Sequence, residues 1–217
     1  MTAPNIVSSG MGTEINHPPL FGDGRGNFRI QVLGNSGSGK TTTARQLAHT
    51  LNLPLISLDT LFWQPGWKPT PKDQMTAKVK QTLETFGNSW VVEGDYFKMI
   101  GTVVTDATTD IIWLDPPLLL YFPRLVLRTI QRLLGLVDPC SPGCNERLSE
   151  TVLSRDSIIL YCLTNHFPNR RRNLGKMSQF GLDMGTDVDH RRMRRVGGWG
   201  REYVEWMAAV EAEHRRE

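Results

Sequence analysis

Cysteine is scarce in this 217-residue chain: Cys140, Cys144 and Cys162 are its three. So small and odd a number excludes a disulfide framework and fits reduced thiols, which sets a cytoplasmic location as the expectation. No apolar run approaches the roughly 18 residues of a membrane-spanning helix, so no membrane partner is expected. The N-terminus has neither the apolar core of a signal peptide nor the Arg-rich amphipathic character of a transit peptide. Neither sign of charge dominates. The 25 Lys and Arg against 22 Asp and Glu leave +3, too little by itself to argue for nucleic acid. No internal repeat is visible, and no Ser/His/Asp or Cys/His arrangement of a hydrolase is legible. What is present is 39% hydrophobic residues against 22% charged ones, enough to bury a core and exclude wholesale disorder.

Residues 1–27 are rich in Gly, Pro, Asn and Ser without an apolar period, and read as a loose tail before a domain spanning 28–217. From Phe28 the pattern becomes regular. Phe28 to Leu33, Leu53 to Leu58, Trp90 to Val92 and Ile111 to Leu114 are short apolar runs of strand type. Helical spacing covers Lys40 to Leu51, Lys72 to Phe86, Leu118 to Leu134, Ser149 to Phe167 and Arg201 to Arg215. Pro123 should kink the third of these or sit near its start. Short apolar strands alternating with helices predict an α/β fold, a parallel sheet covered on both faces. Ligands of such sheets sit outside the carboxyl ends of the strands, and here those ends carry a Gly or an acid.

One motif has specific chemistry. Gly34-Asn35-Ser36-Gly37-Ser38-Gly39-Lys40-Thr41, followed by Thr42, matches G-x-x-x-x-G-K-[ST] between a strand and a helix. Glycines let backbone N–H groups converge on phosphate oxygens without a Cβ in the way. Lys40 can reach the β- and γ-phosphates, the Thr41 hydroxyl can ligate Mg²⁺, and the helix N-terminus adds positive potential. ATP and Mg²⁺ are therefore the expected ligands. Two strands end in an acid able to complete the metal site, Glu93 and Asp115, and spacing alone does not choose between them.

From Gly34 to Met177 the chain resembles the FlaR-type "topology modulation" P-loop proteins of the adenylate-kinase-like superfamily. The resemblance rests on the phosphate loop, on Leu58-Asp59-Thr60-Leu61-Phe62-Trp63 with Pro65-Gly66-Trp67, and on Trp90-Val91-Val92-Glu93-Gly94-Asp95-Tyr96. The Leu114-Asp115 strand end, the pair Arg124 and Arg128, and a lid-like Gly143-Cys144-Asn145-Glu146-Arg147 also match. It implies a three-layer P-loop fold with a five-stranded parallel sheet of order 2-3-1-4-5, an acceptor-binding segment at 59–88 and a short lid at 135–148. That order sets the strand ending at Glu93 beside the loop strand and so favours Glu93, with Thr41, as the metal pair. The chain departs from the family, which usually has Asp-Gly-Asn-Tyr where Glu93-Gly94-Asp95-Tyr96 stands. The fifth strand is also poorly marked. Its candidate, around Val188 to Val196, is crowded with Arg191, Arg192, Arg194 and Arg195.

The remaining features have a functional and a bland reading. Asp59 could orient an acceptor hydroxyl or take its proton, or merely cap a turn. Trp63 and Trp67 could stack on a base or sugar, or be core. Arg124, Arg128 and Arg132 share one helix face, either solvated or closing on a transferring phosphoryl group, and Arg147 and Arg155 are further lid candidates. Cys140, Cys144, Cys162 and His166 have a loose zinc-like spacing. The basic stretch from Asn165 to Arg201 could touch nucleic acid, though sparse aromatics make that the lesser expectation. The expected function is transfer of the γ-phosphoryl of Mg-ATP to a small-molecule acceptor, with Lys40, Asp59, Arg124 and Arg128 catalytic. The alternative is a P-loop ATPase or regulatory nucleotide-binding protein acting with nucleic acid.

Overall fold

The computed structural model describes residues 17–139, 141–144 and 157–215. Five strands form the main sheet: β1 (Arg29–Gly34), β2 (Leu55–Ser57), β5 (Trp90–Glu93), β6 (Asp110–Leu114) and β7 (Met193–Val196). All pair in parallel in the order β2-β5-β1-β6-β7. Counting only this sheet's strands, that is second, third, first, fourth, fifth, as expected. A separate antiparallel hairpin, β3 (Trp63–Gln64) with β4 (Lys68–Pro69), lies outside it.

The sheet has two apolar faces because its central strands are buried on both sides. On one face α1 (Lys40–Thr50) and α8 (Arg201–His214) cover Ile30, Val32, Val91, Ile112 and Val196 with Ala44, Leu47, Trp206, Met207 and Val210. On the other, α3 (Lys72–Phe86) packs Met75 and Val79 on Trp90 and Val92. Beside it, α7 (Ile158–Phe180) sets Met177 and Phe180 against Leu33, Ile111, Trp113 and Met193. The short helices α2 (Leu58–Phe62), α4 (Phe97–Ile100) and α5 (Val103–Ala107) fill in around α3, and α6 (Leu118–Leu133) lies against α7.

Several expectations are corrected. Asp59 is not at a strand end, because β2 stops at Ser57 and Asp59 sits in the first turn of α2. The helix expected to finish at Phe167 continues through Pro168 to Phe180, while residues 149–156 of that expectation lie outside the described residues. A proline there removes one donor, and packing against the sheet outweighs the loss. The Arg-crowded candidate is indeed the fifth strand. Met193 and Val196 enter the core, and the two arginines between them keep their heads outside it, which an edge strand allows. Arg194 donates to the Pro18 carbonyl, and Arg195 lies over the Trp113 ring while pairing with Asp115.

The loose tail is corrected as well. Residues 1–16 lie outside the described residues, but the stretch from Pro18 to Gly22 is tied to the domain. Leu20 is buried, and the Trp206 indole N–H donates to the Pro19 carbonyl. The backbone N–H groups of Phe21 and Gly22 donate to the two oxygens of buried Asp110 at 2.7 and 3.0 Å. Composition hid this because the anchor is one carboxylate 88 or more residues away. Asp110→Ala should leave two backbone donors unpaired and cost about 3 kcal/mol in urea unfolding, at roughly 1–3 kcal/mol per orphaned group. Limited proteolysis of the same variant should show faster cleavage within residues 17–27.

Candidate active site

β1 leaves the sheet at Gly34 with φ +150°. A Cβ there would lie 2.5 Å from Ser38 Oγ and 2.7 Å from the Leu114 carbonyl, so only glycine fits the turn into the loop. At Gly37, φ +84°, a Cβ would stand 3.0 Å from Leu125 Cβ and 3.2 Å from the Tyr121 carbonyl. The missing side chain thus lets α6 lie directly on the loop. Gly39 precedes α1, and among the described residues no side chain caps that helix, an N-terminus suited to an anion. Lys40 folds back over the loop and donates from Nζ to the Asn35 carbonyl at 2.9 Å. Burial pushes the Lys40 ammonium pKa down from its ordinary value, against the opposing pull of Asp59 and Glu93.

The parallel register sets the two candidate acids apart. β5 pairs with β1 so that Glu93 stands opposite Val32, which brings its buried carboxylate beside the loop. Glu93 Oε2 accepts the Thr41 hydroxyl at 2.6 Å. Hydroxyl and carboxylate side by side are a hard-oxygen donor set that fits Mg²⁺ with its waters. Asp115 is engaged elsewhere: Arg170 and Arg195 donate to its Oδ2 at 3.1 and 2.9 Å.

A cleft of about 520 Å³ runs over the loop. It brings Ser36 through Thr43, Asp59, Arg124 and Arg128 together on one wall system. Arg132 is not among its lining residues, and its Nε donates to the Asp138 carbonyl. Asp59 accepts a 2.6 Å hydrogen bond from the Tyr96 hydroxyl. From Tyr96 an aromatic run continues through Phe62, Trp63 and Trp67, with ring centroids 4.8, 4.7 and 5.4 Å apart. Trp67 holds a left-handed φ of 59°, rare for a bulky residue, in the hairpin turn. The described part of the expected lid docks on that hairpin. The Ser141 hydroxyl donates to the Trp63 carbonyl, the Gly66 N–H donates to the Gly143 carbonyl, and the Cys144 thiol contacts the Gln64 carbonyl.

Other expectations part company with the structure. Arg147 and Arg155 lie outside the described residues, as does Cys140. Cys162 is buried behind the loop near the Ser36 carbonyl, whereas Cys144 binds the hairpin, so the two do not share partners. Among the described residues no group of three or more His, Cys, Asp and Glu could hold a metal ion, so the loose zinc-like spacing finds no site there. The basic stretch is largely engaged internally: Arg170, Arg172, Lys176, Arg191, Arg192, Arg194 and Arg195 each bond to a described carbonyl or carboxylate.

Two features escaped sequence reasoning. The cleft is also lined by Val196, Gly197, Gly198, Gly200, Tyr203 and Val204, from the end of β7 through the following turn into α8. Three glycines immediately after the expected fifth strand were the signal. Behind the loop, Asn35 Nδ2 donates to the Tyr121 hydroxyl at 2.9 Å, which meets His166 Nδ1 at 2.7 Å. Burial foremost pushes the Tyr121 phenol pKa up to about 12, keeping it a neutral donor. Nothing local in the sequence links these residues.

Glu93→Gln should weaken Mg²⁺-dependent ATP binding by about tenfold or more in titration calorimetry, since a hydrogen bond to a charged group is worth roughly 1.5–3 kcal/mol. Asp115→Asn, whose carboxylate serves Arg170 and Arg195, should leave that affinity within about twofold.

No protein-family model matches the chain. A cytidylate kinase of Pyrobaculum islandicum (strain DSM 4184 / JCM 9189 / GEO3) is 58% identical over 33 residues, 15% of this chain and 18% of that protein. The matched part thus spans less than a fifth of that relative. Among solved structures, a gluconokinase from Sinorhizobium meliloti 1021 is 16% identical, with a TM-score of 0.44 over 88% of this chain and 94% of that one. A sugar kinase from Janibacter sp. HTCC2649 is 20% identical, with a TM-score of 0.32 over 55% and 82%. Scores at that level add nothing to the sheet order and loop geometry above, which by themselves make this an α/β P-loop fold. The FlaR-type resemblance is not confirmed by these comparisons.

Proposed function

We propose that the chain is a phosphotransferase that moves the γ-phosphoryl group of Mg-ATP to a hydroxyl of a small-molecule acceptor. The carrying observation is that Asp59, Arg124 and Arg128 face the same cleft as the phosphate loop. An acceptor-free ATPase would need a group that activates water. A transferase needs a carboxylate beside the acceptor hydroxyl and cations over the transferring group, and this cleft holds both kinds of residue. The short cytidylate kinase identity supports the same class.

In this reading the backbone N–H groups from Asn35 to Thr42, with the start of α1, hold the triphosphate. The wall from Val196 to Val204 receives the nucleoside end. Thr41 and Glu93 hold Mg²⁺, which when bound offsets phosphate charge. Lys40 leaves the Asn35 carbonyl and follows the charge that builds on the phosphoryl oxygens. Arg124 and Arg128, one turn apart on α6, spread that charge from the opposite side. Asp59, already fixed by Tyr96, accepts the proton of the acceptor hydroxyl as the hydroxyl oxygen bonds the γ-phosphorus and the bond from that phosphorus to the β-phosphate oxygen breaks, releasing ADP. The aromatic run from Tyr96 to Trp67 keeps water from competing as the nucleophile.

Two substitutions test this. Lys40→Ala should weaken ATP binding and lower turnover by orders of magnitude while leaving thermal unfolding unchanged; equal ATP affinity by calorimetry would overturn the phosphate-loop assignment. Asp59→Asn should keep ATP binding within about threefold yet lower acceptor-dependent turnover at least about 100-fold, the scale of a lost general base. Wild-type turnover in Asp59→Asn would place the acceptor elsewhere. Hydrolysis stimulated by nucleic acid, with no small acceptor active, would favour the ATPase alternative.

A further inference from the structure

Besides the cleft, the phosphate loop borders a second and much smaller crevice. Asn35 and Ser38 of the loop, Tyr121 of α6, and His166, Asn169 and Asn173 of α7 line it. Its volume is about 10 Å³, room for no more than a water-sized group. Neither a nucleotide nor an acceptor can enter, so these polar side chains act on the loop and not on a ligand.

The direction of each hydrogen bond follows from its partners. Asn35 Oδ1 accepts the Ser36 backbone N–H at 2.9 Å, and a backbone N–H can only donate. Asn35 Nδ2 donates to the Cys162 carbonyl at 3.0 Å, and a carbonyl can only accept. These two contacts fix which end of the amide is nitrogen. Nδ2 is therefore also the donor in the 2.9 Å contact with the Tyr121 hydroxyl. With its oxygen accepting from Asn35, the hydroxyl directs its one hydrogen to His166 Nδ1 at 2.7 Å. Nδ1 then carries a lone pair, and the hydrogen of the neutral ring sits on Nε2. The Cys162 sulfur, 3.9 Å from the same Asn35 nitrogen, is a weak acceptor by comparison.

The series matters for what Asn35 holds in turn. Its side chain fixes the Ser36 N–H, and its backbone carbonyl accepts the Lys40 ammonium at 2.9 Å. Asn35 and Tyr121 are both buried, so bulk water does not replace a partner that either one loses.

We infer that His166 is a positioning residue for nucleotide binding: by accepting the Tyr121 hydrogen at Nδ1 it holds Asn35, and with Asn35 the shape of the phosphate loop and the resting place of Lys40. His166 touches neither nucleotide nor acceptor. Asparagine carries an oxygen on the carbon that bears Nδ1 in histidine, so it can take over the acceptor role; leucine fills similar space and cannot. The inference rests on the proposed reading in taking Mg-ATP as the ligand, and no acceptor or turnover enters it.

The test is calorimetric titration of the full chain with Mg²⁺ and a non-hydrolysable ATP analogue. His166→Leu should lose about tenfold in affinity, the scale of one buried donor left unpaired. His166→Asn should stay within about threefold of wild type. Tyr121→Phe should lose about as much as His166→Leu, and the double variant His166→Leu/Tyr121→Phe no more than about threefold beyond Tyr121→Phe alone, because the series is already cut. A purely structural contact makes a different forecast: earlier melting of His166→Leu with wild-type affinity, which overturns the positioning role. Equal losses in the Asn and Leu variants overturn it too, since the ring's bulk and not its acceptor would then count. Fully additive losses in the double variant do the same.

A second readout needs no ligand. The imidazole ¹⁵N resonances at pH about 8, above the ordinary histidine range, are assigned to His166 by their loss in His166→Asn. Nδ1 should be unprotonated, with a resonance that moves in Tyr121→Phe; a hydrogen on Nδ1 reverses the series and overturns the inference. Should His166→Leu fail to fold, this readout and the remaining variants decide. Wild type that binds no analogue removes the Mg-ATP reading and the positioning role with it, whereas binding that is intact in wild type and unaltered in His166→Leu removes the positioning role alone.

Discussion

Everything in the site hangs on the close approach that three glycines permit at the end of β1. Gly34 passes within what would be Cβ contact of the Leu114 carbonyl, so β1 and β6 end at the same height. Gly37 lets α6 rest on the loop through Leu125 and Tyr121, and Arg124 and Arg128 of the same helix line the cleft over the loop. Gly39 opens α1 without a cap. A side chain at the first two would separate strand, loop and helix, and the cationic, acidic and backbone groups would no longer share a cleft.

The loop is braced from behind as well as from above. Asn35 is the joint: its side chain bonds to Tyr121 of α6, to the Cys162 carbonyl of α7 and to Asn169 a further two turns along α7. Asn169 in turn holds Arg172, and Arg172 holds Asp95 at the end of β5. Hydrogen bonds thus run from the second residue of the phosphate loop to the residue beside Tyr96 and Asp59. In the proposed reaction this joins the nucleotide and acceptor sides through one partly buried polar network, where each group is held by the next.

The aromatic hairpin serves a different need. Two-residue strands such as β3 and β4 have too little surface to be stable alone. They are held by the 141–144 segment through backbone and side-chain hydrogen bonds, and by the Tyr96, Phe62, Trp63 and Trp67 rings. The aromatic hairpin and the 141–144 segment are therefore one unit here. That accounts for a buried Cys144 with no metal role among the described residues: its thiol serves the Gln64 carbonyl.

What the sequence by itself determined is what is local. The phosphate loop was legible because its chemistry needs consecutive residues, and the alternation of apolar runs and helical periods was legible because burial on both faces imposes it. Asp59 and the arginine pair were identifiable as candidates, since Asp59 closes an apolar strand-like run and the arginines recur one turn apart on a helix. The tertiary structure decided what depends on register and packing. Glu93 joins Thr41 because β5, not β6, ends on that side of the loop, while Asp115 turns to two arginines from α7 and β7. β7 itself contradicted its composition, because an edge strand can bury two residues and let two guanidiniums reach outward. The 17–27 segment is placed by Asp110, and the Arg172–Lys176 pair meets Asp95 across 77 and 81 residues. A periodicity cannot encode such pairings, because a charge meets its partner only where the folded chain has already brought two distant elements together.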